Sequence, residues 1–183
     1  IESVNAVDPH PELLENGGIS LYYFYSNVQN IDPAKASGAH QFYSATSTDG
    51  INFINPQLAY EDASLITDPD VFKTVNDWRM FVSKGQSLDL LISTDSGLKF
   101  TKQDGFVWNK GGGSDSFNFN GTFRTFFCGQ GIQSAIGADK GELVFEDGRR
   151  ILEENKIVCD PSVIQLPDGT YLMFYKTQDI QNN

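Results

Sequence analysis

The sequence is short of cysteine, histidine, basic charge and long apolar runs, and each shortage excludes something. Two cysteines and two histidines stand among 183 residues, without Cys-x-x-Cys or clustered histidines, so neither a zinc module nor a disulfide-dense scaffold is encoded. No run of 18 apolar residues occurs, which excludes a membrane-crossing helix. No sustained 3.6-residue apolar period appears either, which speaks against a helical domain. Thirteen Lys and Arg face 24 Asp and Glu, for a formal net charge of −11. Nucleic-acid binding needs a basic footprint and anionic membrane surfaces repel acidic proteins, so neither is an expected partner. Neutral ligands such as sugars suit this charge. No metal and no cofactor are expected. The first residues are polar and acidic, unlike a secretory signal peptide. The chain begins at Ile1 rather than Met, so an upstream segment is expected to have been removed.

What is abundant is aromatic: 14 Phe and seven Tyr against two Met, a composition that suits a β-sheet core. Much of it lies in a repeated sentence. Residues 7–25 read VDPHPELLENGGISLYYFY, residues 67–82 TDPDVFKTVNDWRMFV, and residues 159–175 CDPSVIQLPDGTYLMFY. Each holds Asp-Pro, a short strand, a polar turn and an aromatic-rich strand. A degenerate copy, GSDSFNFNGTFRTFFCG at 113–129, has the hairpin without Asp-Pro. A second motif follows the first three hairpins: SATSTDGINF (44–53), LISTDSGLKF (91–100) and SAIGADKGELVF (134–145). Its Asp and Gly suit a tight turn, Asp by bonding backbone amides and Gly by accepting positive φ. Asp49, Asp95 and Asp139 are therefore assigned to turns.

Two hairpins per repeat make a four-stranded unit of roughly 45–60 residues, the length of a propeller blade. The expected fold is an all-β propeller forming a single domain over residues 1–183. Its blades fall at about 7–58, 66–108 and 113–157, with a fourth at 160–183 that stops after two strands. A chain of about three and a half blades is expected to be incomplete, part of a longer polypeptide or self-associating through its open side. Cys128 closes the second strand of the third blade and Cys159 precedes the Asp-Pro of the fourth. Those ends share a face, which is compatible with either a bridge or two buried thiols.

The strings DPSVIQLPDGTYLMFYKT and VDPHPELLENGGISLYYFY resemble the blade signature of the five-bladed propeller glycoside hydrolases, the superfamily of arabinanases, β-xylosidases, invertases and levansucrases. STDGINF and STDSGLKF resemble its blade turns and the Asp-boxes of sialidases. The resemblance implies a five-bladed ring when complete, an oligo- or polysaccharide partner and a secreted or periplasmic location. It also implies a cavity where an Asp acts as base or nucleophile, a second Asp orients the system and a Glu donates a proton, since glycoside hydrolysis needs one protonated and one ionised carboxyl. Asp8, Asp68 and Asp160 match the Asp-Pro positions and are the catalytic candidates. No Glu-Gly-Pro-like segment occurs where the acid belongs, so the acid stays unassigned.

Further candidates for substrate binding follow from position. His10 and Asp70 stand two residues beyond their Asp, on the same strand face. Asp115 is offered by the degenerate blade. Arg79 and Arg124 occupy matching places after the inner turn, where each either pairs with a cavity carboxylate or faces solvent. Trp108 either stacks on a sugar face or packs in the core or at a blade edge. The polar stretch 27–38 is a loop able to overhang the cavity. The Asp-Pro pairs themselves have an architectural alternative as turn and strand-end caps, and two functional readings remain: a glycoside hydrolase, or a carbohydrate-binding propeller without a proton donor.

Overall fold

The computed structural model describes residues 6–25, 40–119, 122–137, 142–148 and 150–180. The stretch 27–38 and Asp139 lie outside them. Every regular element described is a strand. β1 (Ala6–Leu13), β2 (Ile19–Tyr25), β3 (His40–Ser47) and β4 (Ile54–Asp62) form one antiparallel sheet in chain order. β5 (Thr67–Lys73), β6 (Trp78–Lys84), β7 (Ser87–Ser93) and β8 (Thr101–Lys102) form the second. β9 (Gly112–Phe119), β10 (Thr122–Gly129), β11 (Gly131–Gly137) and β12 (Leu143–Phe145) form the third, and β13 (Lys156–Gln165) with β14 (Tyr171–Asp179) the fourth. Among the described residues this is a propeller with three four-stranded blades and a two-stranded fourth. The innermost strands neighbour one another in chain order, β1 beside β5, β5 beside β9 and β9 beside β13. The expected start of the fourth repeat at residue 160 falls inside β13, because that strand begins before its Asp-Pro.

Blades stack through apolar faces. Tyr22, Phe24 and Phe42 of the first pack on Val71, Met80 and Leu91 of the second. Phe72, Phe81 and Leu90 of the second meet Phe123, Phe127 and Ala135 of the third. Trp108 belongs to this second cluster: it is 6% exposed and sets its ring edge-on to Phe127 at 5.0 Å. Its role as a sugar platform is thereby corrected to core packing, since a stacking platform needs an open face. Arg79 is corrected likewise. It is 1% exposed, donates from Nε to Asp77 Oδ1 at 2.9 Å and lays its guanidinium 5.5 Å from the Phe123 ring centroid. A cation this deep is tolerable because a carboxylate and an aromatic face enclose it.

The turns of the second motif are built as their composition demands. Asp49 Oδ1 accepts from the amides of Ile51 and Asn52 at 2.9 and 2.8 Å, and Ser47 Oγ accepts from Gly50 N. Ser93 and Asp95 repeat the arrangement, with Lys99 N donating to Asp95 at 2.9 Å. These bonds, chiefly from Asn52 and from Ser93 respectively, hold both carboxyls below their ordinary range. The fourth blade is tied to the third by a Cys128–Cys159 disulfide, Cα atoms 5.0 Å apart, which closes the alternative of two free thiols.

Phe123 stands where the second and third blades meet, 3% exposed and 4.7 Å from the Phe72 ring. Gly137 leaves the space its ring fills. Phe123→Ala is expected to cost about 3–5 kcal/mol, the range for truncating a buried aromatic, measured by denaturant unfolding of the variant against the parent.

Candidate active site

The four innermost strands share one irregularity. In β1, Val7 pairs with Phe24 and His10 with Tyr22, so Asp8 and Pro9 together face Tyr23. In β5, Asp68 and Pro69 likewise fall between the Thr67–Ser83 and Asp70–Phe81 pairs. In β13, Asp160 and Pro161 fall between Cys159–Lys176 and Ser162–Phe174. In β9, Gly113 and Ser114 fall between Gly112–Cys128 and Asp115–Phe126. Two residues opposite one is a β-bulge. Proline, lacking an N–H for the ladder, is tolerated there.

The residue before each proline is left-handed: φ is 52° at Asp8, 51° at Asp68 and 49° at Asp160, and Gly113 matches them at 55°. Aspartate tolerates this region better than most residues, though holding it there costs on the order of 1–3 kcal/mol. Gly113 is therefore the third blade's counterpart of the three aspartates. The reading that this blade lacks the motif is refined: it keeps the backbone and loses the carboxylate.

The bulges line one cavity of about 450 Å³ together with His10, Glu12, Asp115 and Ser162. That is within the roughly 300–1,000 Å³ of ordinary small-molecule sites. Burial first, then the charges of Asp68 and Asp160, push the Asp8 carboxyl up, against a hydrogen bond from the Asp68 backbone and the Lys176 charge. Lys176 Nζ stands 2.8 Å from Asp160 Oδ2, and the Asp160 amide donates to Cys128 Sγ at 3.3 Å.

Beneath lies a second layer. Ligand-type atoms of His10, Asp70 and Asp115 all fall within 4.8 Å of one another. Asp70 is fully buried and accepts from Ser114 Oγ (2.7 Å), Ser116 N (2.9 Å) and Ser116 Oγ (2.6 Å). Those bonds bind the second blade to the third, so Asp70 is corrected from a substrate contact to an internal tie. Burial raises its carboxyl, while the His10 charge and the serine donors oppose the rise. Burial alone would lower His10, but Glu12, 3.8 Å away, and the charges of Asp70 and Asp115 outweigh it and raise the imidazole. Asp115 Oδ2 accepts from Val163 N at 2.7 Å. Burial and then the Asp70 charge push its carboxyl up to about 7. A histidine with two carboxylates is a donor set able to hold a cation, and Asp70 in it already accepts three hydrogen bonds from Ser114 and Ser116. The cysteines beside Asp160 are consumed by their own bond.

Arg124 does not reach the cavity. It pairs with Glu146 at 3.0 Å, within a network that adds Ser134 and Arg150. The substrate-binding expectation for it is thus corrected. Gly113, Ser114, Ser116 and Lys176 were not singled out from sequence. Setting GSDSF under DPDVF exposes the first three, and Lys176 is the one cation beside the aromatic run YLMFY.

No family model matches the chain, and no curated protein matches it. Solved structures do. A GH43 protein BlXynB variant from Bacillus licheniformis superposes with TM-score 0.68 at 12% identity, over 96% of this chain and 37% of that one. The chain has the fold of the GH43 propeller glycoside hydrolases. A GH43 endo-arabinanase from Bacillus licheniformis gives TM-score 0.53 at 13% identity, covering 94% of this chain and 73% of its own. A protein of unknown function from Dyadobacter fermentans DSM 18053 gives 0.68 at 16%, covering 95% and 62%. The chain thus spans under two thirds of the length of two of these three proteins.

The raised groups make stability pH-dependent. Asp115 titrates near 3.9 unfolded and near 7 folded, so between those values the folded state holds more protons and stability falls as pH rises. His10, raised too, contributes stability below its ordinary value that is lost as pH passes the raised one. The low carboxyls of Asp49 and Asp95 act oppositely, in acid only. The melting temperature is expected to drop on the order of 5 °C from pH 5 to pH 8, and Asp115→Asn to shrink that drop in paired thermal scans.

Proposed function

We propose that this chain carries the carboxylate face of a glycoside hydrolase acting on a neutral polysaccharide such as xylan or arabinan. One observation carries the reading: three aspartates, each held left-handed at the same bulge of its blade, face one cavity. Strained backbone and perturbed carboxyls concentrate at functional sites. A merely architectural Asp-Pro would not need its carboxylate, since Gly113 keeps the same backbone without one. Asp8, raised by burial and by its like-charged neighbours, is the base or nucleophile. Asp68 and Asp160 orient the system, Asp160 through Lys176. The fold match to GH43 proteins and the acidic charge support a glycan partner. The Cys128–Cys159 bond agrees with an oxidising, secreted or periplasmic location.

A second reading, a carbohydrate-binding propeller without catalysis, is favoured by Gly113, which removes one carboxylate from the rim. Initial rates on 4-nitrophenyl β-D-xyloside, 4-nitrophenyl α-L-arabinofuranoside, xylan and arabinan separate the two. Turnover that falls roughly 10²–10⁴-fold in Asp8→Asn supports hydrolysis. Retention of these glycans with no turnover supports the binding reading instead.

The exposed apolar residues of the fourth blade, Leu172 at 40% and Phe174 at 60%, support a further proposal, that this face is covered in the working protein by more polypeptide or by self-association. An open strand is an association hazard. Sedimentation of the 183-residue chain is expected to show concentration-dependent association, and a monomer unchanged at high concentration contradicts it.

A further inference from the structure

We propose that Asp115 is the proton donor of this cavity. The proposal rests on the hydrolase reading and names the acid that reading leaves open. Its basis is the equivalence of the four bulges. Gly113 takes the place that Asp8, Asp68 and Asp160 hold in their blades, with the same φ and the same two-against-one register. The third blade therefore offers the rim no carboxylate, and Asp115, two residues further along the same strand face, is the next one available.

Asp115 and Asp70 occupy corresponding places in adjacent blades, but their surroundings differ. Asp70 is fully buried under three donors from Ser114 and Ser116. Asp115 lines the cavity, keeps partial exposure and takes its hydrogen bond from Val163 N through Oδ2. Among the described residues no hydrogen-bond donor reaches Oδ1 of this cavity-lining carboxyl. The groups facing Asp115 are His10 and Glu12 from β1 and Asp70 from β5, with the Val163 amide from β13. Burial and the adjacent Asp70 keep Asp115 protonated near neutrality, as a general acid requires.

In the reaction, the Asp115 carboxyl gives its proton to the glycosidic oxygen as the bond from that oxygen to the anomeric carbon breaks. Water attacks the anomeric carbon and loses a proton to the Asp8 carboxylate. The products are two sugar hydroxyl compounds, and proton exchange with solvent restores both carboxyls. No oxidant, reductant or further reactant enters.

The test compares leaving groups in the intact protein. A 2,4-dinitrophenyl glycoside departs without protonation, whereas a methyl glycoside does not. With matched β-D-xylosides and α-L-arabinofuranosides, Asp115→Asn is expected to lose roughly 10²–10⁴-fold on the methyl compound and to stay within about tenfold on the dinitrophenyl one. Asparagine keeps an oxygen for the Val163 amide. Should the variant not fold, the parent decides: methyl glycoside turnover must fall as pH passes about 7 while dinitrophenyl turnover holds. Equal slowing of both substrates by Asp115→Asn, or parallel pH profiles in the parent, overturns Asp115 as donor and leaves the hydrolase reading standing. No turnover of any glycoside by the parent overturns the hydrolase reading, and the assignment with it.

Discussion

Proline has no N–H to give a β-ladder, and an aspartate before it can turn left-handed where most residues cannot. Each Asp-Pro pair in this propeller sits inside an innermost strand, so the strand must carry two residues against one neighbour. That constraint does three things together. It bends the strand and strengthens its twist. It brings the aspartate to the shared cavity. It does so at the same register in each blade, so that strands far apart in sequence deliver their carboxylates to one place. The blade faces, packed through Phe72, Phe81 and Phe123 or through Tyr22, Val71 and Met80, hold the strands rigidly enough to keep that convergence.

Gathering acids is costly, and the second layer shows how the cost is met. Like charges in a low-dielectric site raise one another's proton affinity. Asp70 is stabilised by Ser114 and Ser116 from the next blade, His10 brings the one ring able to carry a positive charge, and Asp115 holds its proton to about 7. At the rim Lys176 offsets Asp160. The same bonds that balance charge cross from blade to blade, so electrostatics and architecture here are one network. The Cys128–Cys159 bond adds a covalent crossing directly beside Asp160.

The propeller was legible because its signals are local. Asp-Pro, the turn after it and the aromatic strand recur within about twenty residues, and the Ser-Asp-Gly turns form from bonds among immediate neighbours. The repeated Asp-Pro positions at residues 8, 68 and 160 were legible for the same reason. What was not legible depended on contacts between blades. Arg79 and Trp108 look like surface or cavity residues by position, and only the packing of the second blade on the third encloses them. Asp70 reads like His10 or Asp115 until Ser114 and Ser116 are seen to cover it. Gly113 hid because its role is a backbone angle shared with aspartates, and similarity of residue type cannot reveal that. The cysteines left two outcomes open, and the closeness of β10 and β13 decides between them.

The claim on which the rest stands is that the four bulges make one glycan site. A crystal structure of the protein with a bound xylo- or arabino-oligosaccharide tests it most directly. A sugar ring seated among the bulges, within hydrogen-bond distance of Asp8 and Asp115 and with φ near 50° at Asp8, Asp68 and Asp160, is the result expected. A sugar bound elsewhere on the propeller, or aspartates at negative φ with their carboxylates turned away from the axis, would contradict it.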